Sequence, residues 1–258
     1  MRLAAVILTY NEAQHVVDCI ETVRFADQIV VFDSHSTDQT AEVAKTAGAQ
    51  VIMHPFENYA QQRNAALDAV KESADWVLFV DADERIPHAL AEEVRASIEY
   101  PGFAGFRIPR DNYIFGKLTR GAGWYPDYQT RLLKVGSAHY DPTRQVHEVV
   151  VLDGKEGTLK NALIHYNYRD LKQFVEKQRR YSAYDARILF EQGIRPRPQN
   201  YVLQPLRQFW WRFVTLEGYG DGFHGLRLSL LMGWYEFKKY LLLRALWKQG
   251  AFSARKNP

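Results

Sequence analysis

DWVLFVDADE, residues 75–84, decides the fold. The run Asp75–Val80, apolar after its first residue, has no polar alternation and is too short for a buried helix, so it predicts a strand covered on both faces. It ends in the acidic triplet Asp81-Ala82-Asp83, followed by Glu84. Upstream, Leu3–Thr9 (LAAVILT) and Gln28–Asp33 (QIVVFD) repeat the same pattern, and Gln50–Met53 gives a shorter strand. Helical patterns lie between them, at 12–24, at 37–47 before Gly48, and at 59–72. Strands alternating with helices imply βαβ units and a parallel sheet, an α/β fold.

Beyond residue 102 the pattern changes. Phe103–Pro109, Tyr128–Val135, Gln145–Val151 and Thr158–His165 predict strands with no full helix between most of them, which fits a mixed extension of the sheet. Glycine and proline punctuate 116–126, and glycines there establish only flexibility. Residues 169–192 predict a helix and Ile194–Asn200 a proline-broken connector. Two further helices follow over 201–247, separated near Gly218–Gly225. The expected organisation is 1–102, 103–195 and a C-terminal helical appendage at 196–258.

At 258 residues and 47% hydrophobic content, the chain is large enough for a real core, which excludes a stapled mini-protein or a disordered tail. A single cysteine, Cys19, excludes a disulfide framework and a cysteine zinc cluster. The overall charge of +3 conceals a polarity. Residues 1–100 carry 7 Lys/Arg and 17 Asp/Glu, and the remainder 26 and 13. An acidic module is followed by a basic one, suited to phosphate or anionic lipid.

Open α/β sheets bind ligands beyond the carboxyl ends of their strands. Those ends here carry Thr9-Tyr10-Asn11-Glu12, Asp33 and the triplet at 81–83. No glycine-rich turn follows the first strand and no Walker loop occurs, which argues against hydride transfer and P-loop hydrolysis. Asp81 and Asp83, one residue apart on a turn, can contact a hard divalent cation and the diphosphate oxygens it bridges; the plainer alternative is an Asx turn with a helix cap. Asn11 suits a cap for the first helix, and Ser36 with Gln39 matches a capping box. Asp33 has no such local role and can accept hydrogen bonds from a base or ribose.

VILTYNE (6–12), VVFDSHSTDQT (30–40), QQRNAAL (61–67) and WVLFVDADE (76–84) resemble the donor half of family 2 glycosyltransferases. The resemblance implies a GT-A fold, a nucleotide-activated sugar (a UDP-sugar is the first expectation), Mg²⁺ or Mn²⁺, and inversion at the anomeric carbon. It implies a nucleoside pocket lined by Thr9, Tyr10, Glu12 and Asp33, with Arg63 near the base. Asp81 would lie near the ribose or metal, Ala82 between the two acids, and Asp83 on the metal.

Trp124-Tyr125-Pro126-Asp127, Gln129–Leu133 and Val146-His147-Glu148 are similar to a bacterial subgroup that includes lipopolysaccharide-core glucosyltransferases. An inverting transfer needs a base on the acceptor hydroxyl. Glu148 of the His-Glu pair is the first candidate and Asp127 the second. His147 either positions the acceptor or is an ordinary edge-strand histidine. Arg131 stands either at the departing diphosphate or on an exposed strand. His165 either completes the metal shell, as late histidines do in some GT-A enzymes, or is structural.

Residues 196–258 carry 10 Lys/Arg against 3 Asp/Glu, together with Trp210, Trp211, Trp234 and Trp247. Aromatic residues beside cations suit a membrane headgroup zone, and the alternative is a helical pair packed as core. Leu226, Leu230, Trp234, Phe237 and Leu241 follow helical spacing. Gly218-Tyr219-x-Asp221-Gly222-Phe223-His224-Gly225 also resembles a segment common in these enzymes. No stretch reaches about 18 uninterrupted apolar residues, and the apolar run near the start is too short for a signal peptide. The expectation is therefore a cytoplasmic protein, peripheral at the inner membrane face. It would act on a lipid-linked glycan or lipopolysaccharide-core acceptor and bind no nucleic acid. A sugar-phosphate nucleotidyltransferase and a catalytically silent nucleotide-sugar-binding scaffold are the rival readings.

Overall fold

The computed structural model describes residues 1–141 and 149–256. Its elements run β1 Leu3–Thr9, α1 Val16–Thr22, β2 Gln28–Asp33, α2 Thr40–Thr46, β3 Gln50–Met53, α3 Tyr59–Val70, β4 Trp76–Asp81, β5 Glu84–Arg85 and α4 His88–Ser97. There follow β6 Phe103–Ile114, β7 Lys117–Thr119, β8 Tyr128–Lys134, β9 Ala138–Tyr140, β10 Val150–Leu152, β11 Lys155–Thr158 and β12 Leu163–Tyr168. The helices α5 Leu171–Glu191, α6 Asn200–Trp210 and α7 Phe223–Lys256 close the chain. A π turn, Trp211–Thr215, and a 3₁₀ turn, Gly218–Asp221, join the last two helices.

The chain forms two compact units, 1–111 with 127–165, and 112–126 with 166–258. In the first, β3-β2-β1-β4 are parallel, and β8 adds to β4 antiparallel, followed by β6. β1 shows why continuous apolar runs signal such strands. Its odd residues Leu3, Ala5 and Ile7 pack with Val16, Ile20, Leu90 and Val94 from α1 and α4. Its even residues Ala4 and Val6 pack with Ala60, Ala66 and Val70 of α3 on the other face. Both faces are dry, so no polar alternation survives.

Three of the differences from the sequence expectation arise because a side chain captures backbone. α1 starts at Val16, four residues late, since the amides of Glu12 and Ala13 bond Thr40 Oγ1 and Asp38 Oδ2. α2 starts at Thr40, whose amide bonds Asp38 Oδ1 at 3.0 Å. The single strand expected over Thr158–His165 is two strands, β11 and β12, because the Glu93 carboxylate takes the Lys160 and Asn161 amides at 2.8 Å each. Of the strand expected at Gln145–Val151, residues 145–148 lie outside the described residues, and Val150–Leu152 is β10, antiparallel to β9.

The second unit centres on Ile114, Tyr168, Phe174, Leu228 and Tyr235, with Ala186, Tyr240 and Leu243 as a further cluster. Its glycines serve close approach. A Cβ on Gly225 would stand 1.8 Å from the Gly218 carbonyl oxygen, and one on Gly121 2.5 Å from that of Glu217. Asp221 accepts the Gly121 amide at 2.7 Å, Leu216 O the Ala122 amide at 2.7 Å, and Ala122 O the Arg212 guanidinium at 2.6 Å. The glycine-rich stretch before Trp124 is thus tied down by hydrogen bonds.

Candidate active site

The site is built at the carboxyl edge of the first unit's parallel strands. β1 and β2 end side by side, with Thr9 the register partner of Asp33. Thr9 Oγ1 donates to Asp33 Oδ2 at 2.7 Å, Ser36 Oγ to the same oxygen at 2.6 Å, and the Ser36 amide to Oδ1 at 2.7 Å. Asp33 and Thr9 are buried. This corrects the capping-box reading of Ser36 and Gln39: α2 has no side-chain cap bond from Gln39, and Ser36 faces Asp33 instead. Asn11 is also no helix cap. It has φ +57°, its amide bonds Ser36 Oγ at 2.8 Å, and its Oδ1 accepts the Thr37 amide at 2.8 Å. The loops after β1 and β2 are therefore laced into one corner, with Tyr10 exposed at its edge. Glu12 anchors that corner through its backbone, its carbonyl accepting the His15 and Val16 amides.

At the end of β4 lies a chain of alternating charges. Arg63, from α3, donates to Asp81 Oδ1 at 3.3 Å and stacks 5.0 Å above the Phe79 ring. Arg131, from β8, grips Asp81 with Nη1 and Nη2, and its Nη2 also reaches Glu84 Oε1 at 3.2 Å. Glu84 Oε2 accepts the Asp81 amide at 2.9 Å, and Arg110 Nη1 stands 3.5 Å from Glu84 Oε1. Arg110 then donates to Asp127 Oδ2 through Nε and Nη2, at 2.9 and 2.6 Å. Burial pushes the Asp81 carboxyl up, but the guanidiniums of Arg131, Arg63 and Arg110 outweigh it and hold Asp81 well below the usual carboxylate range. Asp81 is fixed as an anion. Arg131 is 5% exposed, so its charge is directed at Asp81 and Glu84.

Ala82 is buried in the core, leaving Asp83 as the acid of the triplet that turns the other way. β5 pairs antiparallel with β12, and His165 is the register partner of Glu84. That register sets His165 Nε2 3.6 Å from Asp83 Oδ2. A carboxylate oxygen beside an imidazole nitrogen is a donor set that suits Mn²⁺ or Mg²⁺, with Mn²⁺ better matched to the nitrogen. Among the described residues no group of three His, Cys, Asp or Glu converges on a metal position. Asp81 faces its arginines, and the structure brings together two of the three metal-site residues read from the sequence.

Asp127 is held at both oxygens, Oδ2 by Arg110 and Oδ1 by Gln129 Nε2 at 2.9 Å. Glu148 and His147 lie outside the described residues. Glu84 and Arg110 were not singled out from the sequence, yet they connect Asp81 to Asp127. The signal existed: three acids, Asp81, Asp83 and Glu84, crowd one strand end, and Arg63 and Arg131 are too few cations to match them. Gln62 was missed as well. It is buried, joining Ser34 Oγ at 3.0 Å and His54 Nδ1 at 2.9 Å.

The model of glycosyl transferase family 2 matches residues 4–158, more than half of the chain. A lipopolysaccharide core biosynthesis glycosyltransferase, LpsC, of Rhizobium meliloti is 29% identical over 99% of this chain and 95% of its own. An uncharacterized glycosyltransferase of Rickettsia bellii is 30% identical over 95% of this chain and 87% of its own. Glucosyl-3-phosphoglycerate synthase of Mycobacterium tuberculosis, solved with Mn²⁺, UDP and glucosyl-3-phosphoglycerate, is 24% identical over 42% of this chain and 44% of its own, with a TM-score of 0.37. The α/β mixed sheet with C-terminal helices is the GT-A arrangement that the sequence resemblance implied.

Proposed function

Because the chain belongs to glycosyl transferase family 2, we propose that it moves a hexose from a nucleotide-diphosphate donor, first a UDP-sugar, to a hydroxyl of a lipopolysaccharide-core or lipid-linked glycan acceptor. The likeness to the core-biosynthesis enzyme over nearly the whole chain supports that acceptor class. The reaction takes place at the inner face of the cytoplasmic membrane. The observation that carries the reading is the Asp83–His165 pair, 3.6 Å apart beside the β1–β2 corner.

The acceptor oxygen attacks the anomeric carbon from the face opposite the diphosphate. A C–O bond to the acceptor forms as the C–O bond to phosphate breaks, the configuration inverts, and nucleoside diphosphate leaves. The acceptor proton passes to a carboxylate base, Glu148 first and Asp127 second. Asp83 and His165 would hold a divalent cation, which would supply positive charge against the leaving diphosphate. Thr9, Tyr10, Glu12, Asp33 and Arg63 form the nucleoside side. Arg131 acts through Asp81, whose carboxylate it holds in place at the end of β4.

The test is release of nucleoside diphosphate from UDP-, GDP- and dTDP-sugars with Mn²⁺ or Mg²⁺ and solubilised bacterial glycolipid. Turnover with one donor, lost in both Asp83→Ala and Glu148→Gln, is the expected result. Pyrophosphate release from a nucleoside triphosphate and a sugar phosphate, or donor binding without turnover on any glycolipid, would overturn it.

A further inference from the structure

The second unit carries an outward face whose chemistry the transfer reaction does not use. α6 has an inner row, Tyr201, Pro205 and Phe209, applied to α7: a Cβ on Gly233 would stand 3.1 Å from Pro205 O and 3.6 Å from Phe209 Cβ, and the Tyr201 and Phe237 rings lie 6.3 Å apart. One position round the helix, Val202, Leu203, Leu206 and Trp210 form a second apolar row that none of the unit's hydrophobic clusters includes. α7 adds Phe223, Leu230 and Trp234 at helical spacing. These seven side chains are between 52% and 81% exposed, although a soluble surface rarely gathers large apolar groups in rows. A shallow groove of about 270 Å³ between Phe223, Leu226, Arg227, Leu230, Leu231 and Trp234 lies along the α7 row.

The charge around the rows selects the occupant. No Asp or Glu occurs between Gln192 and Leu216, whereas Arg195, Arg197, Arg207 and Arg212 do. From Gly222 onward the only acid is Glu236, which is 16% exposed and neutralised by Lys239 at 2.8 Å. Lys238 Nζ sits 4.9 Å from the Trp234 ring, and Arg195 4.6 Å from that of Trp247. Tryptophan bodies with cations at their rims, and acids confined to Glu217 and Asp221 in the turn between the two helices and to the paired Glu236, match the boundary between acyl chains and anionic headgroups. Among the described residues no helix is long and apolar enough to cross a membrane. The face therefore fits a helix lying in the plane of the interface.

We propose that the outer rows of α6 and α7 are a docking surface for an anionic phospholipid bilayer, with Leu203, Leu206, Trp210 and Trp234 inserted and Arg195, Arg197, Arg207 and Lys238 at the phosphates. The proposal gives the membrane location in the functional reading its residues, and it stands on the second unit alone.

The test is co-flotation of the full chain with phosphatidylcholine vesicles, with and without about 30 mol% phosphatidylglycerol. The wild type is expected to float with the anionic vesicles at least about tenfold better, and to be released by salt. Leu206→Gln with Trp210→Ser is expected to abolish flotation while the far-UV spectrum and melting are retained. The charge-reversed pair Arg207→Glu and Lys238→Glu, both exposed, is expected to do the same. Brominated lipid should quench wild-type tryptophan fluorescence, a reading that needs no variant. Absence of flotation and quenching in the wild type, flotation of both variant pairs at the wild-type level, or a stable dimer that the variants dissociate would overturn the proposal. Asp83→Ala should float like the wild type, so loss of turnover and loss of docking are separable failures.

Discussion

Arg131 embraces the Asp81 carboxylate with both arms of its guanidinium, Nη1 lying 3.2 Å from Oδ1 and Nη2 bonded to Oδ2, and the same Nη2 lies 3.2 Å from Glu84 Oε1. One buried cation thus separates two carboxylates that would otherwise face each other across a dry space. Arg131→Met removes the cation shared by the two acids, leaving only Arg63 on Asp81 and Arg110 on Glu84, and is expected to lower stability by up to about 3–5 kcal/mol. Arg131→Lys keeps the charge, loses the fork, and should fall between. Urea unfolding reads the difference as a shift in midpoint at unchanged slope. An unshifted midpoint in the methionine variant would mean that Arg63 alone compensates Asp81.

The Asp83–His165 pair predicts a metal preference as well as a metal site. With one oxygen and one nitrogen from the described residues, affinity depends on the nucleotide's diphosphate, so Mn²⁺ should bind weakly alone and more tightly with UDP. The imidazole favours Mn²⁺ over Mg²⁺. His165→Ala should cost at least about tenfold in Mn²⁺ affinity, since even loss of groups that merely orient metal ligands costs that much. Calorimetric titration of Mn²⁺ in the presence of UDP measures it. Unchanged affinity would return His165 to a structural role.

The parallel strands were legible because each is buried on both faces, which leaves a continuous apolar run in the sequence, as in Trp76–Val80. The acidic triplet was legible too, through its position after such a run. The network around it was not. Glu84 and Arg110 meet because β5 and β6, on either side of α4, enter one sheet, and spacing along the sequence carries no trace of that. Ser36 misled for the opposite reason. Its pattern was that of a cap, but the buried Asp33 carboxylate, itself only three residues earlier, takes the same hydroxyl.

Thr9 and Asp33 give a third expectation. Asp33 is fully buried and receives three hydrogen bonds, from Thr9 Oγ1 and from the amide and hydroxyl of Ser36. Thr9→Val keeps the shape and removes one donor, leaving a buried anion one bond short. The expected cost is about 1–3 kcal/mol. Ser36→Ala should cost a similar amount, and the double variant should depart from the sum because both donors serve one carboxylate. Thermal melts of the four proteins complete the cycle.

Acid sensitivity follows from Asp27. Arg95 bonds both its oxygens, at 2.8 and 2.9 Å, and the Leu3 amide adds a third bond at 2.7 Å. These bonds hold its carboxyl down at about 2. A group depressed on folding contributes stability above its unfolded value, about 3.9, and loses it as pH falls through the folded value. The window is therefore pH 4 down to 2. Asp27 is about half exposed, so solvent screening limits the contribution to about 1 kcal/mol. Asp27→Asn should be less stable than wild type at neutral pH, with the gap closing across that window. A gap that stays constant down to about pH 2 would assign the loss to packing instead.

Gly225 sets the strictest steric demand in the second unit. A Cβ there would lie 1.8 Å from the Gly218 carbonyl oxygen, far inside contact distance, and the obstruction is backbone that no side-chain rotation relieves. Accommodating an alanine would force the Gly218–Asp221 turn away from the first turn of α7. Asp221 accepts the Gly121 amide at 2.7 Å, so the displacement would also reach the loop before Trp124. Gly225→Ala is therefore expected to cost at least about 3 kcal/mol, or to yield no soluble protein. Gly220 is the internal control. It lies in the same turn, but a Cβ there meets nothing within 4 Å, so Gly220→Ala should stay within about 0.5 kcal/mol of wild type. Melting curves of the two variants decide the matter, because they share composition and differ only in the position of one methyl group. Equal melting would mean that the start of α7 moves freely against the turn and that the glycine at 225 answers to some other constraint.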